Sequence, residues 1–335
     1  MTIVVSRFSA LGDVAICIPI IHQFHIQYPD AKIVFVTKKI NSQLFENLHF
    51  VEIFTPDFGL SHKGLIGIFK LFIELKERFS PDIFIDLHNV IRTRLLRLFF
   101  NLSGIKAYTI KKGRIEKHKL IKKTHKRLKP LKTTFQRYID VFNNAKFNIS
   151  SKTFPEFPIK KSQNIDILIN NESFIVFAPF AAHSNKVYPI DKSKQLINLL
   201  AQKYKIYILG AGEKEKQIVE KWQSENIISL IGKFKLQEEI YLMSKSIAVL
   251  TMDSANMHLA ALSKSIIFSI WGPTHPYVGF TPITSSKMII IQKELFCRPC
   301  SVYGNKKCYL NTIECMNIEP HQIANMIFST LKILD

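Results

Sequence analysis

The feature that most constrains this chain is a repeated alternation of short apolar runs with longer segments of helical character. The first run is Thr2–Ser6, which carries no charge, and a helical pattern over residues 14–28 follows it. A continuous apolar run of this length is typical of a parallel strand buried on both faces. Strands that alternate with helices at this spacing predict an α/β fold with doubly wound parallel sheets.

The alternation occurs twice, which predicts two domains, as the length of 335 residues also indicates. We predict a first domain at residues 1–150 and a second at 172–320, with a linker at 151–171 that contains two prolines. Residues 321–335 are predicted to form an apolar helix. Further strands are predicted at 32–37, 51–55, 82–87, 105–108, 173–178, 205–209, 227–230, 246–250 and 265–270.

The composition bears on where the protein works. No apolar run reaches the roughly 18 to 20 residues of a membrane span, and the amino terminus lacks the pattern of a signal peptide. Five cysteines in 335 residues are too few for a disulfide framework, which agrees with a reducing compartment. We therefore expect a cytoplasmic protein.

Positive charge is concentrated in one segment. The net charge is +20, and residues 106–132 hold twelve Lys or Arg residues against a single acid, Glu116. We call residues 106–132 the basic segment. Such a block is typical of a surface that contacts phosphate on nucleic acid or on anionic lipid headgroups. A solvated, lysine-rich loop is the alternative.

Two turns that follow predicted strands of the first half carry candidate functional residues. Gly12 and Asp13 follow the first strand, and a carboxylate there is either a partner of the helix dipole or a general base at the sheet edge. His88 and Arg92 follow the strand at 82–87, where Arg92 is either a solvated side chain or a contact for an anionic acceptor.

The clearest turn of the second half is Asp253-Ser254, which separates an apolar run from a short helical pattern. If either residue caps that helix, the amides of Ala255, Asn256 and Met257 form its positive end, which is a natural seat for a phosphate. An ordinary capped helix is the alternative. His258 lies one turn deeper on a similar face, where it either packs or reaches the same site.

Three motifs appear in order along nearly the whole chain: Arg7-x4-Gly12-Asp13, then Asn185-Lys186-Val187-Tyr188-Pro189, then Asp253-Ser-Ala-x-x-His258 followed by Trp271-Gly-Pro-Thr274. With these motifs the chain resembles glycosyltransferase family 9, the lipopolysaccharide heptosyltransferase family. One motif departs from the family form, since Asp-Ser-Ala replaces the common Asp-Thr-Gly. This difference from the family motif concerns which nucleotide sugar the protein uses as donor.

The resemblance implies a GT-B fold, with two Rossmann-like domains facing across a cleft and a last helix, at 321–335, that packs back on the first domain. It also implies inverting, metal-independent transfer from ADP-heptose to a sugar hydroxyl of the lipopolysaccharide inner core. Asp13 would be the base, Lys186 and the helix start at 254–257 would hold the diphosphate, Glu213 would contact the ribose, and His258 would lie near the diphosphate. The expected donor-binding residues are Lys186, Glu213, Asp253, Ser254, Ala255, Asn256, Met257 and His258. The expected acceptor-binding residues are Arg7, Ser9, Gly12, His88 and Arg92.

The cysteines raise the question of a metal. Cys297, Cys300, Cys308 and Cys315 could close a tetrahedral zinc site, but the second spacing is loose for a zinc ribbon. We expect reduced cysteines in a surface loop, and no metal or cofactor.

Other classes of protein stay open to different degrees. A nicotinamide-dependent enzyme is disfavoured because no Gly-x-Gly-x-x-Gly follows the first strand. Nucleic-acid binding would explain the basic segment but not Asp13, Lys186 or the Asp253 turn, so we expect no nucleic-acid partner. A GT-B enzyme with another nucleotide-sugar donor and a non-catalytic phosphate-binding protein are the remaining alternatives. The expected partners are a nucleotide sugar, a lipid-linked anionic saccharide and the inner face of the inner membrane.

Overall fold

In a computed structural model of the chain, the structure describes residues 1–150, 156–170 and 172–333. The strands are β1 (Thr2–Ser6), β2 (Lys32–Val36), β3 (Val51–Phe54), β4 (Ile83–Asp86), β5 (Lys106–Thr109), β6 (Phe174–Ala178), β7 (Lys205–Ile208), β8 (Ile227–Ser229), β9 (Ala248–Met252), β10 (Ile267–Trp271) and β11 (Met288–Gln292). The helices are α1 (Leu11–Gln27), α2 (Lys39–Ser42), α3 (Gly64–Phe79), α4 (Ile91–Leu102), α5 (Arg114–Leu120), α6 (Thr134–Asn144), α7 (Gln163–Ile169), α8 (Ile190–Leu200), α9 (Glu213–Glu220), α10 (Leu236–Lys245), α11 (Ala255–Ser263) and α12 (Pro320–Lys332).

The chain forms two compact units. Unit 1 comprises Met1–Lys112 and Lys132–Pro158, and unit 2 comprises Gly113–Leu131 and Ile159–Asp335. Unit 1 holds a five-stranded parallel sheet of order β3-β2-β1-β4-β5, and unit 2 a six-stranded parallel sheet of order β11-β10-β9-β6-β7-β8. The predicted class, two doubly wound α/β domains, is therefore observed.

Burial explains why the central strands read as unbroken apolar runs. In β1, residues 3 to 5 are completely buried, and all five residues of β6 and of β9 are buried. A strand covered by helices on both faces has no solvent side on which a polar residue could stand. Polar side chains are thus displaced to the strand ends.

The strand order places those ends at two switch points. The chain leaves β1 toward β2 and later returns to β4 on the other side of β1; likewise it leaves β6 toward β7 and returns to β9. Neighbouring loops at such a point leave the sheet in opposite directions and open a crevice at its carboxyl edge. The candidate residues follow these four strands: Arg7 follows β1, His88 follows β4, Lys186 follows β6, and Asp253 follows β9.

The unit boundaries differ from the predicted domains in the basic segment. Residues 113–131 belong to unit 2, because Leu120 and Ile121 pack with Val278 and Val302. The backbone N–H of Leu131 also donates to the carbonyl of Tyr277 at 3.0 Å. The apolar residues between the lysines therefore decide where the segment is attached.

The predicted linker also differs from expectation. Of the linker, residues 151–155 and 171 lie outside the described residues, but α7 falls within it and is joined to α10 by a 2.7 Å hydrogen bond from Tyr241 to Asp166. We predicted that the last helix packs back on the first domain. Within unit 2, α12 packs against α8, and its buried side chains, including Ile323 and Ile327, belong to the core of that unit.

No helix within the described residues is long and apolar enough to cross a membrane.

Candidate active site

The first half-site is built where β1 passes into α1. Arg7 directly follows the strand, and its guanidinium binds the Asp13 carboxylate and donates to the carbonyl of Leu87 at 3.0 Å. Asp13 lies in the first turn of α1, where the backbone N–H of Ala10 also points at its carboxylate at 3.4 Å. The Asp13 side chain remains 24% exposed, whereas that of Arg7 is 8% exposed. A buried cation therefore orients a carboxylate that solvent can reach.

The turn that leads to Asp13 holds two further predicted residues. Ser9 is half-buried and Gly12 is buried at the start of α1. Their positions beside the Arg7 and Asp13 pair follow from the short connection between strand and helix.

His88 is positioned by a buried carboxylate at the end of β4. Asp86 is fully buried, and its Oδ1 accepts the backbone N–H groups of His88 at 2.9 Å and of Asn89 at 2.7 Å. The Nδ1 of His88 in turn accepts the backbone N–H of Phe8 at 3.4 Å. Burial, followed by the charge of Arg7, lowers the pKa of His88 to about 3. The imidazole is therefore neutral near neutral pH.

Arg92 is held by stacking on an aromatic ring. Its guanidinium lies 4.7 Å from the ring centroid of Phe58, which contacts the ring of Phe8 at 4.8 Å. Phe8 also meets the imidazole of His88 edge-on at 5.7 Å. Unit 1 thus brings the predicted residues Arg7, Asp13, His88 and Arg92 together around Phe8.

The second half-site centres on the buried carboxylate of Asp253. Its Oδ2 lies 2.9 Å from the ammonium of Lys186 and accepts the hydroxyl hydrogen bond of Thr274 at 2.7 Å. Asp253 is only 4% exposed, so these partners are what make the burial of its charge tolerable. The predicted donor residues Lys186 and Asp253 are therefore in direct contact.

Helix α11 begins immediately after Asp253. Ser254 is its N-cap in extended conformation, and its hydroxyl contacts that of Thr251 at 3.3 Å rather than capping the helix. The first turn comprises Ala255, Asn256 and Met257, whose N–H groups have no acceptor within the helix. These amides and the helix dipole favour an anion at this point. His258 follows within α11 and is 8% exposed.

Glu213 lies in another loop of unit 2, at the start of α9. It is the first residue of α9, directly after Gly212, whose φ of 86° suits glycine. The Glu213 side chain is exposed, while Glu215 turns back to accept the backbone N–H of Ala211 at 2.7 Å. The structure therefore leaves Glu213 accessible at the carboxyl edge of the second sheet.

The sequence did not reveal the role of Arg298. Its guanidinium is almost fully buried and donates to the carbonyls of Gly272 at 2.5 Å and Thr274 at 3.0 Å. Its other acceptors are the carbonyl of Lys293 and the side-chain oxygen of Gln292. All four hydrogen-bond acceptors are uncharged, while the nearby Glu294 carboxylate interacts electrostatically with Arg298.

Gly304 is a second residue that sequence reasoning missed. It has a φ of 80°, and a Cβ at this position would lie 2.4 Å from the Cδ of Lys186. Asn185 donates to the carbonyl of Lys306 at 2.7 Å, which ties the same loop to the turn that carries Lys186. The low glycine count of 12 was the only sequence signal that could have drawn attention to it.

The four clustered cysteines share one small cavity of about 20 Å³, with Cys297, Cys300, Cys308 and Cys315 all in its lining. Burial raises the pKa of Cys315 to about 11, so that this thiol is protonated at neutral pH. Across the described residues, no three His, Cys, Asp or Glu side chains are grouped so as to hold a metal ion. The expectation that no metal binds remains a prediction.

Comparison with known proteins places the chain in a family. A family model described as glycosyltransferase family 9 (heptosyltransferase) matches residues 68–310. Lipooligosaccharide heptosyltransferase 2 of Campylobacter jejuni is 22% identical over 336 residues, covering 96% of each chain. The Haemophilus influenzae protein of the same name is 30% identical over 142 residues, covering 40% of each chain.

Solved structures agree with the fold. The family 9 glycosyltransferase of Veillonella parvula matches with a TM-score of 0.75 at 17% identity, over 98% of this chain and 97% of that one. The ADP-heptose lipopolysaccharide heptosyltransferase II of E. coli matches with a TM-score of 0.72 at 20% identity, over 99% and 98% of the two chains.

Two Rossmann-like parallel sheets with polar residues at their switch points are consistent with the GT-B fold of these neighbours. Because the family model covers more than half of it, the chain belongs to glycosyltransferase family 9, the heptosyltransferase family. It is a glycosyltransferase of the heptosyltransferase type, as the sequence motifs predicted.

We predict that Arg298→Gln weakens ADP binding by roughly tenfold, the equivalent of one charge-assisted hydrogen bond of about 1.5 kcal/mol. The substitution removes a positive charge and frees the Thr274 backbone that aims a hydroxyl at Asp253. Calorimetric titration with ADP and with adenosine measures the effect, which should be confined to ADP.

Arg137 supplies the matched control, since it is a buried arginine in unit 1 that also donates to backbone carbonyls, those of Lys111 and Lys132. Arg137→Gln should lower stability without a selective loss of ADP affinity. An unchanged ADP affinity in folded Arg298→Gln protein would contradict the assignment.

Proposed function

We propose that this protein transfers a heptose from ADP-heptose to the lipopolysaccharide inner core, or to a related glycolipid, with inversion and without a metal. The observation that carries the proposal is the chemistry at the two switch points. An oriented carboxylate stands at one, and a cation beside a helix N-terminus stands at the other. Membership of family 9 and the names of the relatives support the sugar and the acceptor class.

In the proposed reaction, Asp13 is the general base. Its carboxylate accepts the proton of the acceptor hydroxyl, whose oxygen then attacks the anomeric carbon of the heptose. The bond between that carbon and the diphosphate oxygen breaks on the opposite face, which inverts the configuration and releases ADP. The ion pair with Arg7 keeps the carboxylate aimed before the acceptor arrives, which saves reorganisation during the reaction.

The departing diphosphate needs positive charge, which unit 2 supplies. In this proposal Lys186 and the amides of Ala255, Asn256 and Met257 bind the phosphate oxygens, and His258 lies close by. Preorganised donors aimed at developing negative charge are usually the largest contribution to catalysis of this kind. Asp253 holds the Lys186 ammonium in place, and Ser254 starts the helix. Exposed Glu213 would accept the ribose hydroxyls.

The acceptor side is assigned to unit 1. Arg92, stacked on Phe58, offers a guanidinium for an anionic group of the saccharide. Neutral His88 and the Arg7 side chain line the same cluster, and Ser9 and Gly12 lie in the turn next to Asp13. An acceptor with carboxylate or phosphate groups suits this set.

The basic segment is proposed to bring the enzyme to the inner face of the inner membrane, where a lipid-linked acceptor is found. Part of its charge is used internally, because Lys126 donates to the carbonyls of Cys297 and Pro299 and Lys117 lies 4.1 Å from the ring of Phe280. The exposed cations include Lys119, Lys122, Arg127 and Lys129. Each contributes about 1 kcal/mol near an anionic surface. A cytoplasmic, peripherally bound enzyme follows.

Two alternatives are tested by the same experiments. A different nucleotide-sugar donor is kept open by the Asp-Ser-Ala sequence at the start of α11, where the family commonly has Asp-Thr-Gly. A non-catalytic protein that only binds phosphate would retain the second half-site and show no turnover.

Asp13→Asn is expected to lower the turnover number by about 10² to 10⁴, the usual contribution of a general base, while ADP-heptose still binds. The measurement is ADP release in the presence of a purified inner-core acceptor. Asp30→Asn, which alters an exposed carboxylate of the same unit, serves as the control and should retain full activity. Equal rates for wild type and Asp13→Asn would rule out the assignment of Asp13 as base.

Lys186→Ala should weaken the binding of ADP by roughly ten- to a hundredfold, because a charge-assisted contact of about 1.5 to 3 kcal/mol is lost. Thermal shift with ADP, UDP, GDP and dTDP reports both the affinity and the preferred base, since a ligand that binds only the folded form raises stability. Lys233→Ala, at an exposed lysine of unit 2, is the control. If Lys186→Ala binds ADP as tightly as wild type, the diphosphate does not contact Lys186.

Replacing Lys119, Lys122, Arg127 and Lys129 by Gln should reduce binding to anionic vesicles at low salt and slow transfer to a lipid-borne acceptor. Transfer to a short soluble acceptor should change little. Screening over a Debye length of about 8 Å predicts that high salt abolishes the difference. The control variant replaces the exposed residues Lys160, Lys161, Lys194 and Lys233 by Gln, an equal change of charge. Equal vesicle binding by the two variants would show that the basic segment has no special part in attachment.

A further inference from the structure

Unit 1 exposes a group of large apolar side chains on two adjacent helices. Helices α3 and α4 pack together through the rings of Phe69 and Phe99, whose centroids lie 5.3 Å apart. Around this contact, six side chains of the two helices are between 47% and 77% exposed: Leu65, Ile66, Phe69, Ile91, Leu98 and Leu102. We call these six residues the apolar ridge.

Helical spacing makes the exposed residues continuous within each helix. Leu65 and Phe69 are four residues apart in α3, and Leu98 and Leu102 are four apart in α4, so each pair lies on one face. Both helices also have an opposite, buried face, where Leu71, Phe72 and Phe100 join the core of unit 1. The core is thus already filled without the ridge. Contiguous apolar surface of this kind on a folded unit is typical of an interaction site.

The charges of the two helices are mainly positive, because six Lys or Arg residues of α3 and α4 stand against two acids, Glu74 and Glu77. Lys63, Lys70 and Arg94 are exposed on the same two helices or next to them, and residues 58–73 and 87–115 contain no Asp or Glu. Apolar side chains flanked by Lys and Arg are the combination that lies in the interface of an anionic bilayer.

The same charges argue against a second copy of the chain as the partner. A symmetric dimer through this face would bring the identical cations of two chains together, since an isologous contact pairs a patch with itself. The six cations of α3 and α4 outnumber their two acids, Glu74 and Glu77, so a net positive charge would oppose itself across the contact. A partner with anionic groups and an apolar interior avoids this repulsion.

We propose that the apolar ridge, with Lys63, Lys70 and Arg94, is a membrane-binding face whose side chains enter the headgroup region of an anionic bilayer. The choice of partner rests on the proposed function, which requires an acceptor carried in lipid. The ridge would bind the membrane by burying apolar surface, whereas the basic segment would bind it by electrostatic attraction. Binding through buried apolar surface persists at high salt, whereas binding through exposed lysines is screened.

The test compares vesicle flotation of wild type with a variant in which Leu65, Ile66, Leu98 and Leu102 are replaced by Gln, a residue that keeps good helix propensity. Vesicles of phosphatidylglycerol and phosphatidylethanolamine are used at 0.1 M and 0.5 M salt. We expect wild type to retain binding at 0.5 M salt, and the ridge variant to bind at least tenfold more weakly at both salt concentrations. The matched control replaces four exposed apolar residues elsewhere: Ile26, Ile167, Met326 and Ile333.

Insertion is measured directly with Leu98→Trp. Both native tryptophans, Trp222 and Trp271, are buried, so the new indole dominates the response to lipid. Lipids with brominated chains should quench its fluorescence and should leave Met326→Trp unquenched.

Equal flotation of wild type, ridge variant and control, or an unquenched Leu98→Trp, would overturn the proposal. So would a fall in sedimentation coefficient of the ridge variant without lipid, which would make the ridge a contact between copies.

The outcome is separable from that of the proposed reaction. Circular dichroism establishes that the ridge variant is folded, and transfer to a short soluble acceptor should equal that of wild type. Loss of vesicle binding with retained soluble transfer supports the ridge. If wild type shows no soluble transfer but the ridge variant still loses vesicle binding, the proposed reaction fails and the membrane-binding face stands.

Discussion

The burial of both faces of each parallel sheet is the constraint on which the rest of the structure depends. Strands such as β1, β6 and β9 have no exposed face. Their backbone N–H and C=O groups form hydrogen bonds with neighbouring strands, and their side chains pack against apolar faces of helices. In these three strands, charged groups therefore stand only beyond the strand ends. Arg7, Lys186 and Asp253 all lie there, and the strand order collects them at two switch points. The positions of the site residues are thus a consequence of how the core is built.

Within unit 2, one buried carboxylate organises the candidate phosphate site. Asp253 has little contact with water, and its charge is compensated by Lys186 and by the hydroxyl of Thr274. The Arg298 guanidinium donates a hydrogen bond to the carbonyl of Thr274, and all of its hydrogen-bond acceptors are uncharged. The two cations Lys186 and Arg298 are accompanied by two carboxylates, Asp253 and Glu294. The backbone amides at the start of α11 are therefore what favours an anion here.

Positive charge in this chain has more than one use. The number of Lys and Arg residues in the basic segment predicts a contact surface. In the structure, however, Lys117 is buried against Phe280, and Lys126 donates to three carbonyls of the cysteine-containing loop. The methylene groups of a lysine side chain can pack against apolar surface while the ammonium group reaches hydrogen-bond acceptors. On α3 and α4, by contrast, fewer cations border exposed apolar side chains. Charge density alone therefore did not distinguish a packed segment from a contact surface.

The sequence by itself determined the α/β class, the two tandem sheets and the motifs of family 9, because each depends on local periodicity or on residues close together in the chain. Most strands lie within two or three residues of their predicted bounds, and β11 was not predicted. Only the tertiary structure decided that residues 113–131 join unit 2, that α12 packs on α8, and that Arg298 and Gly304 support Lys186. These outcomes depend on contacts between residues up to about two hundred positions apart. A pattern in sequence records which side chains prefer burial, but not which distant surface buries them.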